Sequence, residues 1–193
     1  MIWLLVVPAY FLGTFPSAVM VARSRGIDIT QVGSKNPGAS NVARTMGTRW
    51  GVAVFALDAL KGVLPAAVGL LVDHRPLAYA MLAASILGHM FPVTRRFVGG
   101  KGVATMAGGA FVLQPIVASC LLAIWYAFRK LSGKASLASL AITIGLPAGV
   151  AIKGAPGWEV ATICGINALV MLRHWENIQR LLGGRELSAS RSR

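Results

Sequence analysis

The fold of this chain depends on one stretch, residues 103–128, which reads VATMAGGAFVLQPIVASCLLAIWYAF. The run is longer than the ~20 apolar residues that cross a bilayer. Gln114-Pro115 interrupts it near its middle, and a proline inside a helix removes one backbone hydrogen bond. The stretch is therefore either one tilted helix or two shorter helices joined at the proline.

The composition is typical of a membrane protein. Of the 193 residues, 55% are hydrophobic and 13% are charged, whereas a soluble domain has about 25% charged residues. The length predicts a single domain over residues 1–193. The net charge is +13, but the basic residues are spread among hydrophobic segments and form no nucleic-acid-binding signature. We therefore predict no nucleic-acid partner.

The other apolar runs set the topology. They cover roughly residues 2–22, 50–72, 77–93, 137–152 and 158–172. If residues 103–128 form two helices, the chain crosses the membrane seven times, and 16 of its 19 Lys and Arg lie on one side. Cytoplasmic loops carry such an excess. We therefore predict an all-α integral membrane protein with seven transmembrane helices, its N-terminus outside, and its C-terminus and basic tail 173–193 in the cytoplasm.

Four polar clusters lie on the predicted cytoplasmic side. They read GSKNPGASNVAR (33–44), RRFVGGKG (95–102), RKLSGKASLAS (129–139) and RHWENIQR (173–180). Gly99, Gly100 and Gly102 let backbone N–H groups approach an anion, and a helix that starts near Gly102 adds the positive end of its dipole. Arg44 and Lys101 supply full positive charge. This combination favours a phosphorylated substrate at the membrane surface.

Several of these residues also have simpler interpretations. Arg95 and Arg96 are typical of loops that only set topology. Ser34 precedes an Asn-Pro turn sequence and suits a turn, while Ser40 and Asn41 suit a helix cap. Residue chemistry alone leaves these alternatives open.

Two pairs of polar residues lie three positions apart, so each pair shares a helix face. His174 and Asn177 follow the last apolar run and are either functional or merely interfacial. Asp58 and Lys61 lie inside the second apolar run, where ionisable groups are costly and by default functional. A structural ion pair is the alternative, and Lys61 contacts phosphate only if its span reaches the site. His89, near the inner end of the third run, is ambiguous.

Three of these motifs together resemble the signature regions of one family. GSKNPGASNVAR, GHMFPVTRRFVGGKGVAT and RHWENIQRLLGGRE are similar to the motifs of the bacterial acyl-phosphate:glycerol-3-phosphate acyltransferases, the PlsY family. The resemblance implies a seven-span enzyme of the bacterial cytoplasmic (inner) membrane with its active site on the cytoplasmic face. It implies transfer of a fatty acyl group from acyl phosphate to the 1-hydroxyl of glycerol 3-phosphate. The products would be lysophosphatidate and phosphate, in the first acylation of bacterial phospholipid synthesis.

The resemblance and the residue chemistry together assign candidate roles. The candidate catalytic residues are Ser34, Arg44, Lys101, His174 and Asn177. The candidate substrate- and phosphate-binding residues are Gly33, Asn36, Gly38, Ser40, Asn41, Lys61, Gly99, Gly100, Gly102 and Ser139. We expect Glu186 and Asp58 to be structural.

The expected partners are acyl phosphate, glycerol 3-phosphate, the lipid bilayer and the soluble enzyme that makes acyl phosphate. We expect no metal and no other cofactor. The mechanistic hypothesis is direct transfer without an acyl-Ser34 intermediate, with either His174 or the acyl phosphate's own oxygens as the base. The competing class is an anion transporter, which would also use basic loops and Asp58 and Lys61. A transporter must open on both sides of the membrane, and the outer loops DHRP and KGAPG are too short to form a good second gate.

Overall fold

A computed structural model describes residues 1–189, and every regular element in that range is a helix. This confirms the all-α prediction. Contacts within the chain divide it into two compact units, Met1–Leu113 and a second unit that begins at Gln114. The prediction of a single domain stays a prediction, and residues 190–193 of the predicted basic tail lie outside the described residues.

The first unit contains six α-helices and two short 3-10 helices. They are the 3-10 helix Ile2–Leu5, α1 (Val6–Gly13), α2 (Ser17–Arg23), α3 (Ala39–Met46), α4 (Thr48–Leu71), α5 (Arg75–Met90), the 3-10 helix Val93–Arg95, and α6 (Val103–Leu113). The described part of the second unit contains α7 (Pro115–Ser132), α8 (Ala135–Ile152), α9 (Gly157–Arg173) and α10 (Trp175–Leu182).

Within residues 1–189, four helical segments are long and apolar enough to cross a membrane. They are Ile2–Arg23, Thr48–Leu71, Arg75–Arg95 and Ala135–Ile152. Helix α6 is apolar but shorter. The count of seven spans and the sidedness of the termini stay predictions.

The stretch 103–128 forms two helices. Helix α6 ends at Leu113 and α7 begins at Pro115. Proline is well tolerated at the first position of a helix, because the backbone N–H there has no partner within the helix. Within the second unit, Gln114 Nε2 donates to Glu159 Oε2 at 2.7 Å, and Lys153 Nζ donates to Gln114 Oε1 at 3.0 Å. These bonds fix the residue at the break.

The apolar run 2–22, predicted as one span, is interrupted in the structure. Helix α1 ends at Gly13, and α2 begins at Ser17 after Pro16. The break exposes the carbonyl of Phe15, whose oxygen accepts from the Lys61 ammonium at 2.5 Å and from the Ser17 N–H at 3.0 Å. A side chain of α4 thus satisfies a carbonyl at the break between α1 and α2.

Glycines bring the helices of the first unit close together. A Cβ at Gly62 of α4 would overlap the Thr105 carbonyl oxygen of α6, and a Cβ at Gly108 of α6 would overlap the Ala59 carbonyl oxygen of α4. Small residues allow such close backbone approach between membrane helices. This reciprocal contact fixes the start of α6 beside the turn of α4 that carries Lys61.

The second unit is built on a similar small-residue contact. Gly145 and Gly149 of α8 face Leu121 and Val117 of α7, with ideal Cβ positions 2.7 Å from the side chains of those residues. The G-x-x-x-G spacing predicts this close helix contact. Helix α9 packs on α8, and α10 follows α9 after His174.

Candidate active site

The loop before α3 is organised by Asn41. Its side-chain oxygen accepts the Ser34 backbone N–H at 2.9 Å, and its amide nitrogen donates to the carbonyls of Ile29 at 3.2 Å and Val32 at 2.9 Å. Asn41 is buried, whereas Ser34 is only partly buried. The structure therefore gives Asn41 three contacts within the loop, and the N-cap of α3 is Gly38, without a side-chain cap.

The same asparagine also contacts Arg44, one turn along α3. Arg44 Nη1 lies 3.5 Å from Asn41 Oδ1, so Ser34 and Arg44 share one anchor. Gly33 adopts φ +60°, and a Cβ there would overlap Asn41 Oδ1, so both conformation and space require glycine. Asn36 is partly buried, and Ser40 is exposed. The first unit thus brings the residues of the first motif into one small cluster.

Residues 99–102, the glycine loop, fold against the last turn of α5. A Cβ at Gly99 would overlap the His89 carbonyl oxygen, and a Cβ at Gly100 would overlap His89 Nε2. Gly102 adopts φ +80°, a conformation that L side chains rarely take. The glycines are therefore required by packing, which is an additional reason for their presence beside the anion binding predicted from the sequence.

The Gly100 amide is already engaged, since its N–H donates to the His89 carbonyl at 3.0 Å. Helix α6 begins at Val103 directly after the loop, as the sequence predicts. Its first-turn N–H groups and the partly buried Lys101 lie at that end. The start of a helix beside a cation is chemically suited to an anion.

Asp58 and Lys61 form a buried ion pair. Lys61 Nζ lies 2.7 Å from Asp58 Oδ1, and both residues are 3% exposed. His89 joins them from α5, with Nδ1 3.5 Å from Lys61 Nζ and 3.7 Å from Asp58 Oδ1. We call Asp58, Lys61 and His89 the buried cluster. His89, ambiguous in the sequence, is thereby shown to link the buried ion pair to the glycine loop.

His174 lies between α9 and α10 in the second unit. Its Nδ1 is 2.8 Å from the Val170 carbonyl oxygen, and the residue is buried. A carbonyl only accepts, so Nδ1 carries the hydrogen and Nε2 is the basic nitrogen of the neutral ring. This tautomer suits a proton acceptor.

Asn177 is held by Glu186. Its amide nitrogen donates to Glu186 Oε1 at 2.7 Å, and Ser136 Oγ donates to the same oxygen at 2.9 Å. Arg180 Nε donates to Glu186 Oε2 at 3.0 Å. The carboxylate thus ties α10 to the start of α8. Ser139, one turn further along α8, donates to the Ala135 carbonyl at 2.9 Å.

The candidate residues fall in both units. Within the first unit the structure brings Ser34, Asn41 and Arg44 together, and separately brings Lys61 and Asp58 to the glycine loop through His89. Within the second unit Asn177 and Glu186 are in contact. Sequence reasoning missed the buried Gln114–Glu159 contact, whose only signal was a carboxylate near an apolar run.

The chain matches the family described as "Glycerol-3-phosphate acyltransferase" over residues 3–184. It is 42% identical to the glycerol-3-phosphate acyltransferase of Aquifex aeolicus, over 94% of this chain and 96% of that protein. It is 40% identical to the glycerol-3-phosphate acyltransferase of Desulfovibrio desulfuricans, over 96% of this chain and 83% of that protein.

Two crystal structures of PlsY, an integral membrane glycerol 3-phosphate acyltransferase, share this fold. The glycerol 3-phosphate form has a TM-score of 0.93 at 39% identity, covering 97% of this chain and 94% of that one. The lysophosphatidic acid form has a TM-score of 0.90 at 38% identity, with the same coverage.

The helical fold and these matches define an integral, multi-pass membrane acyltransferase. The chain belongs to the glycerol-3-phosphate acyltransferase family, as the three motifs predicted.

Proposed function

We propose that this protein transfers a fatty acyl group from acyl phosphate to the 1-hydroxyl of glycerol 3-phosphate. The products are lysophosphatidate and phosphate, and the reaction is the first acylation of bacterial phospholipid synthesis. The observation that carries the proposal is the TM-score of 0.93, over 97% of the chain, to PlsY in its glycerol 3-phosphate form. The PlsY lysophosphatidic acid form supports the same chemistry.

The proposed setting is the bacterial inner membrane, with seven spans and a cytoplasmic active site. The break at Gln114 and the one-sided distribution of Lys and Arg support it. The test starts from a cysteine-free protein in which Cys120 and Cys164 are replaced by serine. Two variants of it are then made, one with a single cysteine at Asp73 and the other with a single cysteine at Ser132. A membrane-impermeant maleimide added to intact spheroplasts should label the cysteine at Asp73 and spare that at Ser132. Equal labelling, or the reverse pattern, would contradict the topology.

The first unit supplies the cations of the proposed site. Both substrates carry phosphate, so two anions must be held close together against their mutual repulsion. Arg44 offers bidentate contact and Lys101 a point charge. Ser34 donates a hydrogen bond to phosphate or to the developing oxyanion. The contacts of Asn41 with both Ser34 and Arg44 support a shared role for these two residues.

The proposed step is direct transfer. The 1-hydroxyl oxygen forms a bond to the acyl carbonyl carbon, the bond from that carbon to the phosphate oxygen breaks, and phosphate leaves with the bonding electrons. The hydroxyl proton passes to a base. Much of the catalysis is then positioning of the two substrates. An acyl group trapped on Ser34, or ping-pong kinetics, would contradict direct transfer.

The base is either Nε2 of His174 or an oxygen of the phosphate, and one variant separates the two. His174→Asn keeps an amide near the Nδ1 position, opposite the Val170 carbonyl, and removes Nε2. A fall in kcat of about 10²- to 10⁴-fold identifies His174 as the general base. A fall of less than about tenfold identifies a phosphate oxygen as the base, because loss of a general base lowers kcat by more than tenfold.

The test of the proposed function is a donor panel. Purified protein receives labelled glycerol 3-phosphate with acyl phosphate, acyl-CoA or acyl-carrier-protein thioester in separate reactions. We expect lysophosphatidate with acyl phosphate alone. Product from a thioester but not from acyl phosphate would overturn the donor assignment, and no product from any donor would overturn the reaction itself.

A further inference from the structure

The buried cluster lies within the membrane-spanning helices α4 and α5. Asp58 and Lys61 are 3% exposed and His89 is 9% exposed. Ionisable groups at such positions are costly and are by default functional. Replacing a buried ion pair by apolar residues is often neutral or stabilising, so helix packing alone is a weak reason for the cluster.

Lys61 is engaged within the protein. An ammonium group has three N–H donors. Lys61 Nζ lies 2.5 Å from the Phe15 carbonyl oxygen, 2.7 Å from Asp58 Oδ1 and 3.5 Å from His89 Nδ1. These three acceptors account for its donors. Lys61 therefore acts on the ring of His89 rather than on a phosphate directly.

His89 joins this ion pair to the glycine loop in two ways. Its carbonyl oxygen accepts the Gly100 N–H at 3.0 Å, and its ring nitrogen Nε2 fills the space in which a Gly100 Cβ would lie. A rotation of the ring would therefore press on the loop backbone. The position of the loop depends on the position of this ring.

The contact with Lys61 also favours one tautomer of the ring. An ammonium group only donates, so Nδ1 of His89 accepts when it pairs with Lys61, at 3.5 Å, rather than with the Asp58 carboxylate, at 3.7 Å. The neutral ring then carries its hydrogen on Nε2, the nitrogen that faces Gly100. The ion pair thus determines both the orientation of the ring and the polarity that it presents to the loop.

We infer that His89, held by Lys61 and Asp58, is a positioning residue for the glycine loop and thereby sets the affinity for the phosphate of the acceptor. The inference rests on the proposed function, in which Lys101 of that loop binds glycerol 3-phosphate. Lys101 follows Gly100 directly, so a shift of the Gly100 backbone also shifts the Cα atom from which the Lys101 side chain extends. His89 acts through the loop and does not itself contact the substrate.

The kinetic test compares two substitutions of His89, each of which keeps a polar group at one of the two ring nitrogen positions. His89→Asn keeps a polar group near Nδ1 and removes Nε2, whereas His89→Gln keeps a polar group near Nε2. We expect His89→Asn to raise the KM for glycerol 3-phosphate about tenfold, the equivalent of one hydrogen bond, with a much smaller change in kcat. His89→Gln should restore much of the affinity.

His74→Asn is the matched control. His74 caps the opposite end of α5, where its Nδ1 accepts the Leu77 N–H at 3.0 Å. Asparagine keeps an acceptor near the Nδ1 position and is a preferred N-cap, so His74→Asn should leave both the melting temperature and the KM nearly unchanged. If His89→Asn lowers the melting temperature but leaves the KM unchanged, the cluster only supports helix packing and the inference is overturned.

A measurement on the wild-type protein covers the case in which His89→Asn does not fold. The chain has three histidines, so the ring signals of ¹⁵N-histidine-labelled protein can be assigned. We expect His89 to show the Nε2–H tautomer and to shift when glycerol 3-phosphate is added, while His74 stays unchanged. The other tautomer, or an unmoved His89 signal in protein that forms lysophosphatidate, would overturn the inference. Wild-type protein that forms no product with any donor would instead overturn the proposed function.

Discussion

Asn41 and Ser34 are joined by a hydrogen bond of 2.9 Å from the Ser34 backbone N–H to the Asn41 side-chain oxygen. A buried amide on α3 thereby fixes a partly exposed serine in the loop before that helix. Glu186 holds Asn177 in a similar way, and His89 is proposed to hold the glycine loop. Asn41 is a candidate substrate-binding residue in the sequence, and in the structure its side chain contacts the loop and Arg44.

The Asn41→Asp variant tests the first of these relationships. Aspartate keeps the acceptor for Ser34 but cannot donate to the carbonyls of Ile29 and Val32. We expect a loss of about 1–3 kcal/mol in the free energy of unfolding, since buried carbonyls lose their partners, together with a fall in kcat/KM. Thermal melting and steady-state kinetics in detergent measure both.

The control for this variant is Gln31→Glu, the same amide-to-acid change at an exposed position of the same loop. Its effect on the free energy of unfolding should stay within about 0.5 kcal/mol. Equal melting temperatures and equal activities for the two variants would refute the anchoring role of Asn41.

Glu186→Gln tests the anchor of the third motif. The Glu186 carboxylate accepts from Asn177, Ser136 and Arg180, and glutamine would turn an N–H₂ group toward donors. We expect a loss of about 1–3 kcal/mol in stability and a lower kcat, because one remaining acceptor oxygen cannot serve all three donors and Asn177 is held less firmly. Glu176→Gln is the control: its side chain is 77% exposed and lies 3.7 Å from the same Arg180. If both variants melt alike, Glu186 is not the anchor.

Lys101→Ala tests the phosphate contact in the glycine loop. Hydrogen bonds to charged groups contribute about 1.5–3 kcal/mol, so the KM for glycerol 3-phosphate should rise about 10- to 100-fold. Lys130→Ala removes the same charge at an exposed position of α7 and should leave this KM unchanged. An unchanged affinity in Lys101→Ala would exclude Lys101 from acceptor binding.

Gly62→Ala tests the contact that fixes the start of α6. The added methyl group would overlap the Thr105 carbonyl oxygen, so we expect a loss of about 1–3 kcal/mol in stability from overpacking. Gly165→Ala is the matched helical control on α9, where an added Cβ meets nothing within 4 Å. Its stability should be unchanged or slightly raised, since alanine is the better helix former. Indistinguishable melting temperatures would mean that α4 and α6 are not packed this closely.

The helices could be predicted from the sequence, but their breaks only in part. Pro115 ends one helix and begins the next, as expected, and Pro16 interrupts the first span, which was not expected. Pro65 and Pro147 lie inside continuous helices. The break at Pro16 is accompanied by a tertiary contact, since Lys61 donates to the Phe15 carbonyl, and such a partner is distant in sequence.

The motifs of the candidate site stand out in the sequence because charged, glycine and hydroxyl residues are concentrated in a few segments between the apolar runs. Which of them hold the loops could not be predicted. Asn41 reaches backbone atoms seven to twelve residues away, and the His89 ring contacts Lys61 of another helix, 28 positions earlier. Side-chain to backbone contacts of this kind depend on the folded geometry and leave no periodic pattern.

The central claim, acyl transfer from acyl phosphate to glycerol 3-phosphate, is tested most directly by the stoichiometry of the reaction. Purified protein is given acyl-[³²P]phosphate with and without glycerol 3-phosphate, and phosphate and lysophosphatidate are counted together. We predict that phosphate is released only when glycerol 3-phosphate is present, with one lysophosphatidate formed for each phosphate. Phosphate release without lysophosphatidate, or no release at all in either reaction, would contradict the account.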